Sequence, residues 1–261
     1  MQSFVCNDSL NYQVKDQVAY VTLNRPDKGN ALNEKMIAEL TQVFNAVQQD
    51  PQVRVLCLSA QGKHFCTGAD LQDMRASVDY SLTKNTDEAK KLAHLMQTMH
   101  DLDVPVIAAV QGAVYGGAMG LLANCDIVIA EEHAFFCLSE VKLGLVPAVI
   151  SPYVIEALGV RVAKYLMLTA EKINAMQALD MGLVHQVVSM PALIANLQEC
   201  IDRLLRNGPQ ALRYVKKLCR DLPQMKTIND RQNMTANLIA RVRISQEAQV
   251  RMRDFFEKKH D

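Results

Sequence analysis

Four glycines that follow an apolar segment constrain this chain more than any other feature of its sequence. Gly112, Gly116, Gly117 and Gly120 lie within nine positions and come directly after the strand-like run VPVIAAV. Glycine weakens the interior of a strand or a helix because it loses more backbone freedom on folding than other residues. Two explanations fit the sequence: the backbone itself approaches another group closely, or two elements pack together without side chains between them.

The apolar stretch that contains these glycines has some features of a membrane helix. Between Val104 and Ala123 only Gln111 is strongly polar, and GAVYG has the GxxxG spacing of packed membrane helices. However, Pro105 and the β-branched residues favour a strand in the first half, and polar or acidic residues stand at both ends. We therefore predict a strand, a turn and a short helix instead of a membrane span.

The charge balance argues against nucleic acid or an anionic membrane surface as a partner. The 261 residues include 28 basic and 28 acidic side chains, so the formal net charge is zero and supplies no bulk electrostatic attraction. The first ten residues, MQSFVCNDSL, show no targeting pattern. The seven cysteines form no CxxC pair and have no metal-ligand spacing. These features predict a cytoplasmic protein with reduced thiols.

Hydrophobic periodicity predicts alternating strands and helices over most of the chain. QVAYVTL, VRVLCLSA, VPVIAAV and DIVIA are typical of strands, and NALNEKMIAELTQVFNAVQQD has an asparagine cap followed by apolar residues at helical spacing. Such alternation predicts an α/β core with a covered sheet. Beyond Pro191 successive helical patterns follow without a strand. We therefore predict a core over residues 1–191 and a helical region over 192–261, which is too small to be stable alone.

Two predicted strand-to-helix turns place glycines where backbone groups are free to bind. In CTGADL (66–71) and YGGAM (115–119) the first N–H groups of the following helix lack intrahelical partners. Such donors, at the positive end of a helix dipole, can hold an anion or a developing oxyanion, and two turns together can form a two-donor hole. Neither turn fits the GxGxxG or GxxxxGK[ST] pattern. The alternative is that the glycines only permit tight packing.

Glu140 is the most conspicuous carboxylate in the sequence. Ala134 to Leu138 precede it without a charge, and only Lys142 interrupts the apolar residues that follow. Apolar surroundings raise the pKa of a carboxyl group, which suits proton transfer near neutral pH. The structural alternative is that Glu140 pairs with Lys142 or with a donor at a helix start.

The remaining residues with reactive side chains give weaker signals. His64, beside Lys63, could contact a phosphate or act as a base, although a lone histidine in a loop is more often solvated. His100, His133 and His185 have no carboxylate or cysteine at ligand spacing, so we predict no metal site. The C-terminal FFEKK is typical of an amphipathic helix, and its aromatic and cationic side chains could equally stack on a nucleotide.

Taken in order, six stretches resemble the enoyl-CoA hydratase/isomerase family, also called the crotonase family, along essentially the whole chain. The resemblance implies an α/β fold built as a crotonase-like spiral of β-β-α units, with a C-terminal helical region that mediates trimers or dimers of trimers. The six stretches are VAYVTLNRPDKGNALN, GKHFCTGADL, PVIAAVQGAVYGGAMGLLANCDIVIA, AFFCLSEVKLGLVP, ALGVRVAKYLMLTAEKINAMQALDMGLV and FFEKK.

The resemblance also implies roles for individual residues. The backbone N–H groups of Ala69 and Gly117, one from each glycine turn, would hold the thioester oxygen of an acyl-CoA, and Glu140 would be the family's second catalytic glutamate. Coenzyme A is part of the substrate, so no separate cofactor is implied. The implied CoA contacts are Lys28, Ala31, Gly68, Asp70 and Leu71, with Phe255 and Lys258 from a neighbouring subunit.

One position departs from the family's two-glutamate pattern. Gly120 stands where hydratases of the family carry their first catalytic glutamate, and its small size predicts room for a branched acyl chain. FCLSEVKLGLVPAVISPYVIEALG looks most like bacterial 3-methylglutaconyl-CoA hydratases of leucine breakdown and relatives that act on isoprenoid-derived esters. We therefore predict hydration of an enoyl-CoA with a branched, acidic acyl group. The alternatives are a single-glutamate enoyl-CoA isomerase and a catalytically silent acyl-CoA-binding protein.

Overall fold

The computed structural model describes residues 9–257 and has the mixed α/β architecture that the sequence predicts. The strands are β1 (Leu10–Lys15), β2 (Val18–Leu23), β3 (Val55–Ala60), β4 (Val106–Val110), β5 (Ala113–Tyr115), β6 (Ile127–Glu131), β7 (Phe135–Cys137), β8 (Ile173–Asn174) and β9 (Gln186–Val188). The helices are α1 (Glu34–Gln49), α2 (Leu71–Ser77), α3 (Leu82–His100), α4 (Gly117–Ala123), α5 (Ser151–Thr169), α6 (Ala175–Asp180), α7 (Leu193–Arg206), α8 (Pro209–Asp221), α9 (Ile228–Arg243) and α10 (Gln246–Glu257).

Two sheets organise the core. The larger sheet has six strands in the order β1-β2-β3-β4-β6-β9, and β1 with β2 is its antiparallel pair. Every residue of β4 is buried, as expected for a parallel strand covered on both faces. The smaller sheet has the order β5-β7-β8, with β5 parallel to β7 and β7 antiparallel to β8.

Helix α1 shows how the local sequence pattern specifies the core. The side chain of Asn33 caps the helix by accepting a hydrogen bond from the backbone N–H of Met36, as an asparagine at this position favours. The apolar stripe of α1 then packs against α3. Burial of each such side chain contributes about 1.5–3 kcal/mol. The buried apolar residues of α1 are Met36, Leu40, Val43, Phe44 and Val47.

The apolar stretch from Val104 to Ala123 forms β4, β5 and α4, so the predicted strand, turn and helix are confirmed. The glycines mark the ends of these elements: Gly112 lies between the two strands, and Gly116 immediately precedes the helix. Within residues 9–257, none of the helices combines the length and the apolar character that crossing a membrane requires.

The chain divides into two compact units, one extending to Ile201 and the other beginning at Asp202. This boundary lies inside α7, whereas the sequence pattern placed the division between residues 191 and 192. The first half of α7 belongs to the core unit and buries Leu193, Leu197 and Cys200. By contrast, α8, α9 and α10 bury none of their residues.

A side-chain clasp holds the helical unit together. The carboxylate of Glu247 on α10 accepts hydrogen bonds from the backbone N–H groups of Gln210 and Ala211 at 2.9 and 3.1 Å, and so caps the start of α8. Arg251, one turn later on α10, donates to the backbone carbonyls of Arg206, the last residue of α7, and of Asn207, which follows it. Gly208 leaves the space for the Glu247 carboxylate, because a Cβ atom there would overlap it.

Candidate active site at three parallel strand ends

Three backbone segments run side by side in parallel and end at one edge of the smaller sheet. Strand β5 lies between β7 and an extended segment at Cys66. Because parallel strands deliver the residues that follow them to the same edge, Ala69, Gly117 and Glu140 are brought to one place. Near the ends of these segments Cys66 pairs with Val114, and Tyr115 pairs with Cys137.

Ala69 contributes a backbone N–H whose direction is set by the preceding peptide. Leu32 donates its N–H to the carbonyl oxygen of Gly68 at 2.8 Å. The Gly68 carbonyl and the Ala69 N–H belong to one planar trans peptide and point in opposite directions, so the Ala69 N–H is directed away from Leu32. This N–H donates no hydrogen bond to any residue in the described part of the chain.

Gly68 and Gly116 allow the two turns to approach each other and the carboxylate. Gly68 has a φ of 98°, and a Cβ atom there would lie 3.2 Å from the carbonyl oxygen of Tyr115. Gly116 has φ 51° and ψ −120°, a conformation that glycine supplies in type II′ turns. A Cβ atom on Gly116 would lie 3.3 Å from Oε1 of Glu140. Close backbone approach therefore explains the glycines of both turns.

Gly117 offers the second backbone donor. It is the first residue of α4, so its N–H has no partner within the helix and lies at the positive end of the helix dipole. Across residues 9–257 this N–H donates to no other group. A side chain here would also crowd Leu32, because a Cβ atom on Gly117 would lie 3.2 Å from Leu32 Cδ1. The two glycine turns therefore carry two N–H groups that donate to nothing among residues 9–257, and such free donors can hold an anion or oxyanion.

Glu140 follows β7 and begins a short 3-10 turn. Its Oε2 atom is buried and has no hydrogen-bond partner among the described residues. Burial raises the pKa of Glu140 above its ordinary value, and the residue's own backbone N–H opposes this only in part. The apolar sequence neighbours predict this direction. Neither Lys142 nor any other described residue forms a hydrogen bond with Oε2, so one carboxylate oxygen is available for proton transfer.

The space beside Gly120 is filled, so the predicted room for a branched acyl chain at this position is wrong. Gly120 is buried in α4, and a Cβ atom there would lie 2.8 Å from Cβ of Ile150 and closer still to its Cγ2. The same Cβ atom would lie 3.1 Å from Sδ of Met96. At this glycine the second explanation holds: two elements pack without a side chain between them.

The candidate CoA residues of the core unit lie on two adjacent loops. Gly29 accepts a hydrogen bond from Thr67 N–H at 3.0 Å, and Leu32 pairs with Ala69 as in a parallel bridge. These bonds place the loop around residues 24–33, which carries Lys28 and the buried Ala31, beside the turn at 66–71. The structure therefore brings together Lys28, Ala31, Gly68, Asp70 and Leu71, whereas Phe255 belongs to the helical unit and Lys258 lies outside the described residues.

Asp70 uses its side chain within the protein. One carboxylate oxygen accepts from the backbone N–H of Gln72 at 2.9 Å and caps α2, and the other accepts from Arg25 Nη2 at 2.9 Å. Burial opposes ionisation of Asp70, but the Gln72 N–H, the Arg25 guanidinium and the more distant Lys28 outweigh it and lower the pKa. Sequence reasoning missed Arg25, although its place directly before the Pro26 turn was visible.

His64 organises the backbone near the site. Its Nδ1 accepts a hydrogen bond from the N–H of Ala113 at 3.1 Å, at the start of β5. Burial and the neighbouring Lys63 lower the pKa of His64, which favours the neutral ring that this bond requires. The ring of His64 is therefore bonded to the start of the strand that leads to Gly117.

The structure differs from the sequence-based prediction at His133. Its ring and the carboxylates of Glu131 and Glu132 bring their ligand atoms within 4.8 Å of one another, because Glu131 ends β6 and the other two residues follow it directly. Oε1 of Glu131 accepts from the His133 N–H at 2.9 Å and so closes this turn. Glu132 and His133 are exposed, so the group is a solvated turn that by itself indicates no metal. The six described cysteines are free thiols.

Known proteins resemble this chain along most of its length. The family model for enoyl-CoA hydratase/isomerase matches residues 13–261. An enoyl-CoA hydratase from Shewanella pealeana has a crystal structure similar to this chain, with a TM-score of 0.92, 43% identity and coverage of 96% of this chain and 94% of that one. The short-chain-enoyl-CoA hydratase of Clostridium acetobutylicum is 35% identical over 207 residues, 77% of each chain. An enoyl-CoA isomerase/hydratase of Mycosarcoma maydis is 31% identical over 212 residues, 76% of this chain and 75% of that one.

Proposed function

Because this chain belongs to the enoyl-CoA hydratase/isomerase family, we propose that it adds water across the 2,3 double bond of an enoyl-CoA thioester. The observation that carries the proposal is the meeting of three groups at one sheet edge. These are the unpaired N–H groups of Ala69 and Gly117 and the buried, unpaired Oε2 of Glu140.

The two N–H groups are suited to the charge that the reaction develops. When the oxygen of water bonds to C3, the electron pair of the double bond moves toward the thioester, and negative charge builds on the thioester oxygen. Ala69 and Gly117 would donate to that oxygen from fixed positions. One such donor typically contributes about 3–4 kcal/mol to the stability of the transition state.

Glu140 would move the protons. Its carboxylate takes one proton from the attacking water, so that a hydroxyl group forms on C3, and the protonated carboxyl then gives a proton to C2 as the enolate collapses. Burial raises the pKa of Glu140, and a carboxyl group whose pKa lies closer to the working pH is better suited to take up and return a proton. One carboxylate serves both steps, since residue 120 is glycine.

The CoA portion would lie along the two adjacent loops. Lys28 supplies a positive charge, and the turn at 68–71 supplies backbone groups beside the thioester site. In this proposal CoA enters and leaves as part of the substrate, and the reaction needs no separate cofactor.

For the acyl group we propose a preference for a branched acid such as the 3-methylglutaconyl group, which would place the enzyme in leucine breakdown. Gly120 carries no charge at the position where a two-glutamate hydratase has its first catalytic glutamate. An acidic substrate therefore escapes like-charge repulsion from that position. Because Ile150 and Met96 fill the space beside Gly120, the size of residue 120 does not support the preference for a branched group. Relative kcat/KM for 3-methylglutaconyl-CoA and crotonyl-CoA tests the preference, and a better reaction with crotonyl-CoA contradicts it.

An enoyl-CoA isomerase is the second candidate, and the packing of Ile150 against Gly120 favours it. Because Ile150 fills the space beside Gly120, no second carboxylate can stand there, and Glu140 alone could take a proton from C2 of a 3-enoyl-CoA and return it to C4 without adding water. A panel of crotonyl, 3-methylglutaconyl and 3-enoyl thioesters separates the candidates. Hydration removes the conjugated enoyl absorbance, isomerisation creates it, and binding without turnover indicates a silent acyl-CoA-binding protein.

We also propose that the protein assembles as a trimer or a dimer of trimers, in which Phe255 and Lys258 complete a neighbouring CoA site. The support is the exposed apolar surface of α8–α10 and the absence of buried residues in these helices. Truncation after Ser245 should weaken assembly and CoA affinity, and a fully active monomer in light scattering contradicts the proposal. The large exposed apolar residues of this unit are Tyr214, Val215, Ile228, Ile239, Ile244, Val250, Met252, Phe255 and Phe256.

The free thiols of the described cysteines are also consistent with the reducing cytoplasm, which we propose as the location. Cell fractionation tests this location.

A further inference from the structure

Arg25 connects the two loops of the candidate site. Its Nη1 donates to the carbonyl oxygen of Ala31 at 2.8 Å, and its Nη2 donates to Oδ2 of Asp70 at 2.9 Å. Ala31 lies in the loop that the proposed function assigns to CoA, and Asp70 directly follows Ala69. One planar guanidinium therefore connects the loop around residues 24–33, here called the CoA loop, with the turn at 66–71, here called the oxyanion turn. Lysine is a poor substitute because it lacks the fixed fork of donors.

The ion pair between Arg25 and Asp70 is largely shielded from solvent. The side chains of Arg25 and Asp70 are 17% and 8% exposed, whereas the charged pairs that contribute little to stability are typically solvated. Asp70 also accepts from the N–H of Gln72, so its carboxylate is held on both oxygens. A carboxylate held in this way transmits the position of Arg25 to the backbone around Ala69.

The backbone at Ala69 has little freedom to move independently. The N–H of Asp70 donates to the carbonyl oxygen of Leu32 at 3.0 Å, and the carbonyl oxygen of Gly68 accepts from the N–H of Leu32 at 2.8 Å. Ala69 thus lies between two hydrogen bonds to the loop around residues 24–33. Its N–H can change direction only if these bonds break or if that loop moves with it.

We propose that Arg25 is a positioning residue that couples binding of the CoA nucleotide to the orientation of the Ala69 N–H. The inference rests on the proposed function, in which Ala69 donates to the thioester oxygen. The nucleotide orders the loop that contains Ala31, and Arg25 with Asp70 carries that order to the oxyanion turn. Binding energy from a remote part of the substrate is thereby used at the reacting carbonyl.

The first experiment compares two substrates that carry the same enoyl group, one on full CoA and one on pantetheine, which lacks the nucleotide. In the wild type the CoA thioester has the higher kcat. Arg25→Met lowers kcat for the CoA thioester about 10- to 100-fold, with a smaller change in KM, and lowers kcat for the pantetheine thioester less. The ratio of the two kcat values therefore falls. Arg25→Lys, which keeps the charge but not the fork, restores only part of it.

Two further variants test whether Arg25 acts through Asp70. Arg25→Met combined with Asp70→Asn loses no more kcat than Arg25→Met alone, because the two side chains form one unit. Arg54→Met is the matched control, since Arg54 of the core unit donates to Gln17 Oε1 at 3.1 Å and belongs to neither loop. Equal losses with both thioesters, or a lower melting temperature with an unchanged kcat ratio, overturn the coupling role.

A second readout does not depend on turnover. Acetoacetyl-CoA is a β-ketothioester whose enolate absorbs in the near ultraviolet, and donors to the thioester oxygen favour this enolate. Arg25→Met should lower the bound enolate-to-ketone ratio about tenfold while leaving the Kd for CoA nearly unchanged. If the wild type hydrates no enoyl-CoA but forms the enolate, and Arg25→Met lowers the enolate-to-ketone ratio, the proposed function fails and the positioning role stands. If it hydrates enoyl-CoA and Arg25→Met alters neither readout, the positioning role fails.

Discussion

Two successive turns of helix α4 carry glycines for different physical reasons. At the first turn, Gly116 adopts φ 51° and leaves space for Oε1 of Glu140, and the N–H of Gly117 donates to no group among residues 9–257. At the second turn, Gly120 is buried against Ile150 and Met96. In the proposed function the first turn therefore serves the chemistry of the site, whereas the second serves packing against Ile150 and Met96.

This difference shows that a glycine-rich motif has no single meaning. A missing side chain can expose a backbone donor, allow a conformation with positive φ or admit a neighbouring side chain. The neighbour decides which of these applies, and here the neighbours are Glu140 for one turn and Ile150 for the other. The contrast predicts that substitutions at the first turn reduce turnover and that substitutions at the second reduce stability.

The largest expected effect comes from the carboxylate that Gly116 accommodates. Glu140→Gln should lower kcat at least about 100-fold because the proton-transfer group is lost, with binding of CoA esters nearly intact. Steady-state kinetics and ligand titration measure the two quantities. Glu39→Gln on α1 is the control, since both carboxylate oxygens of Glu39 are also buried without hydrogen bonds, although Lys35 Nζ lies 3.9 Å from one of them. Turnover within a few-fold of the wild type for Glu140→Gln would make Glu140 structural.

Gly116→Ala should have the next largest effect on turnover. The added methyl group would lie 3.3 Å from Oε1 of Glu140 and would strain a backbone at φ 51°. We expect kcat to fall about tenfold and the free energy of unfolding to fall by about 1–3 kcal/mol. Gly182→Ala provides the control for backbone strain alone, because Gly182 has φ 82° and nothing within 4 Å of its Cβ position. Equal kinetic losses in both variants would remove the special role of the first turn.

Gly120→Ala should leave kcat per folded molecule within a few-fold of the wild type but reduce stability. Overpacking of a buried contact typically costs about 1–3 kcal/mol, which denaturant unfolding measures. Ile150→Ala removes Cγ2, the atom closest to the new methyl group, so the double variant should lose less stability than the sum of the single variants. Additive losses would show that Ile150 is not the constraint on residue 120.

The smallest expected effect is the dependence of stability on the ionisation of Glu140. Its pKa is raised in the folded state, so its protonated form stabilises the fold relative to its ionised form. That stability is fully present below the unfolded pKa of about 4.3 and is lost as the pH rises through the higher folded pKa. Glu140→Gln should therefore unfold at a higher temperature than the wild type near pH 7. If Glu140→Gln and the wild type had equal melting temperatures both below the unfolded pKa and near pH 7, the raised pKa would be contradicted.

The sequence alone determined the features that depend on near neighbours in the chain. An asparagine cap and an apolar stripe specified α1, alternation specified the α/β class, and glycines marked two strand-to-helix turns. Charge-free neighbours also indicated the direction of the pKa shift at Glu140. These features follow from hydrogen bonds and periodicities that extend over a few residues, so they are visible before any tertiary contact is known.

Only the tertiary structure decided which distant residues meet. Pairing of Cys66 with Val114 places the turn at 66–71 beside β5, and Arg25 reaches Asp70 across a long stretch of sequence. The contact between Gly120 and Ile150 could not be predicted either, and it reversed the expectation of an open pocket. Such contacts depend on how all the elements of the core pack together, because close packing leaves each space to whichever side chain the whole fold delivers there.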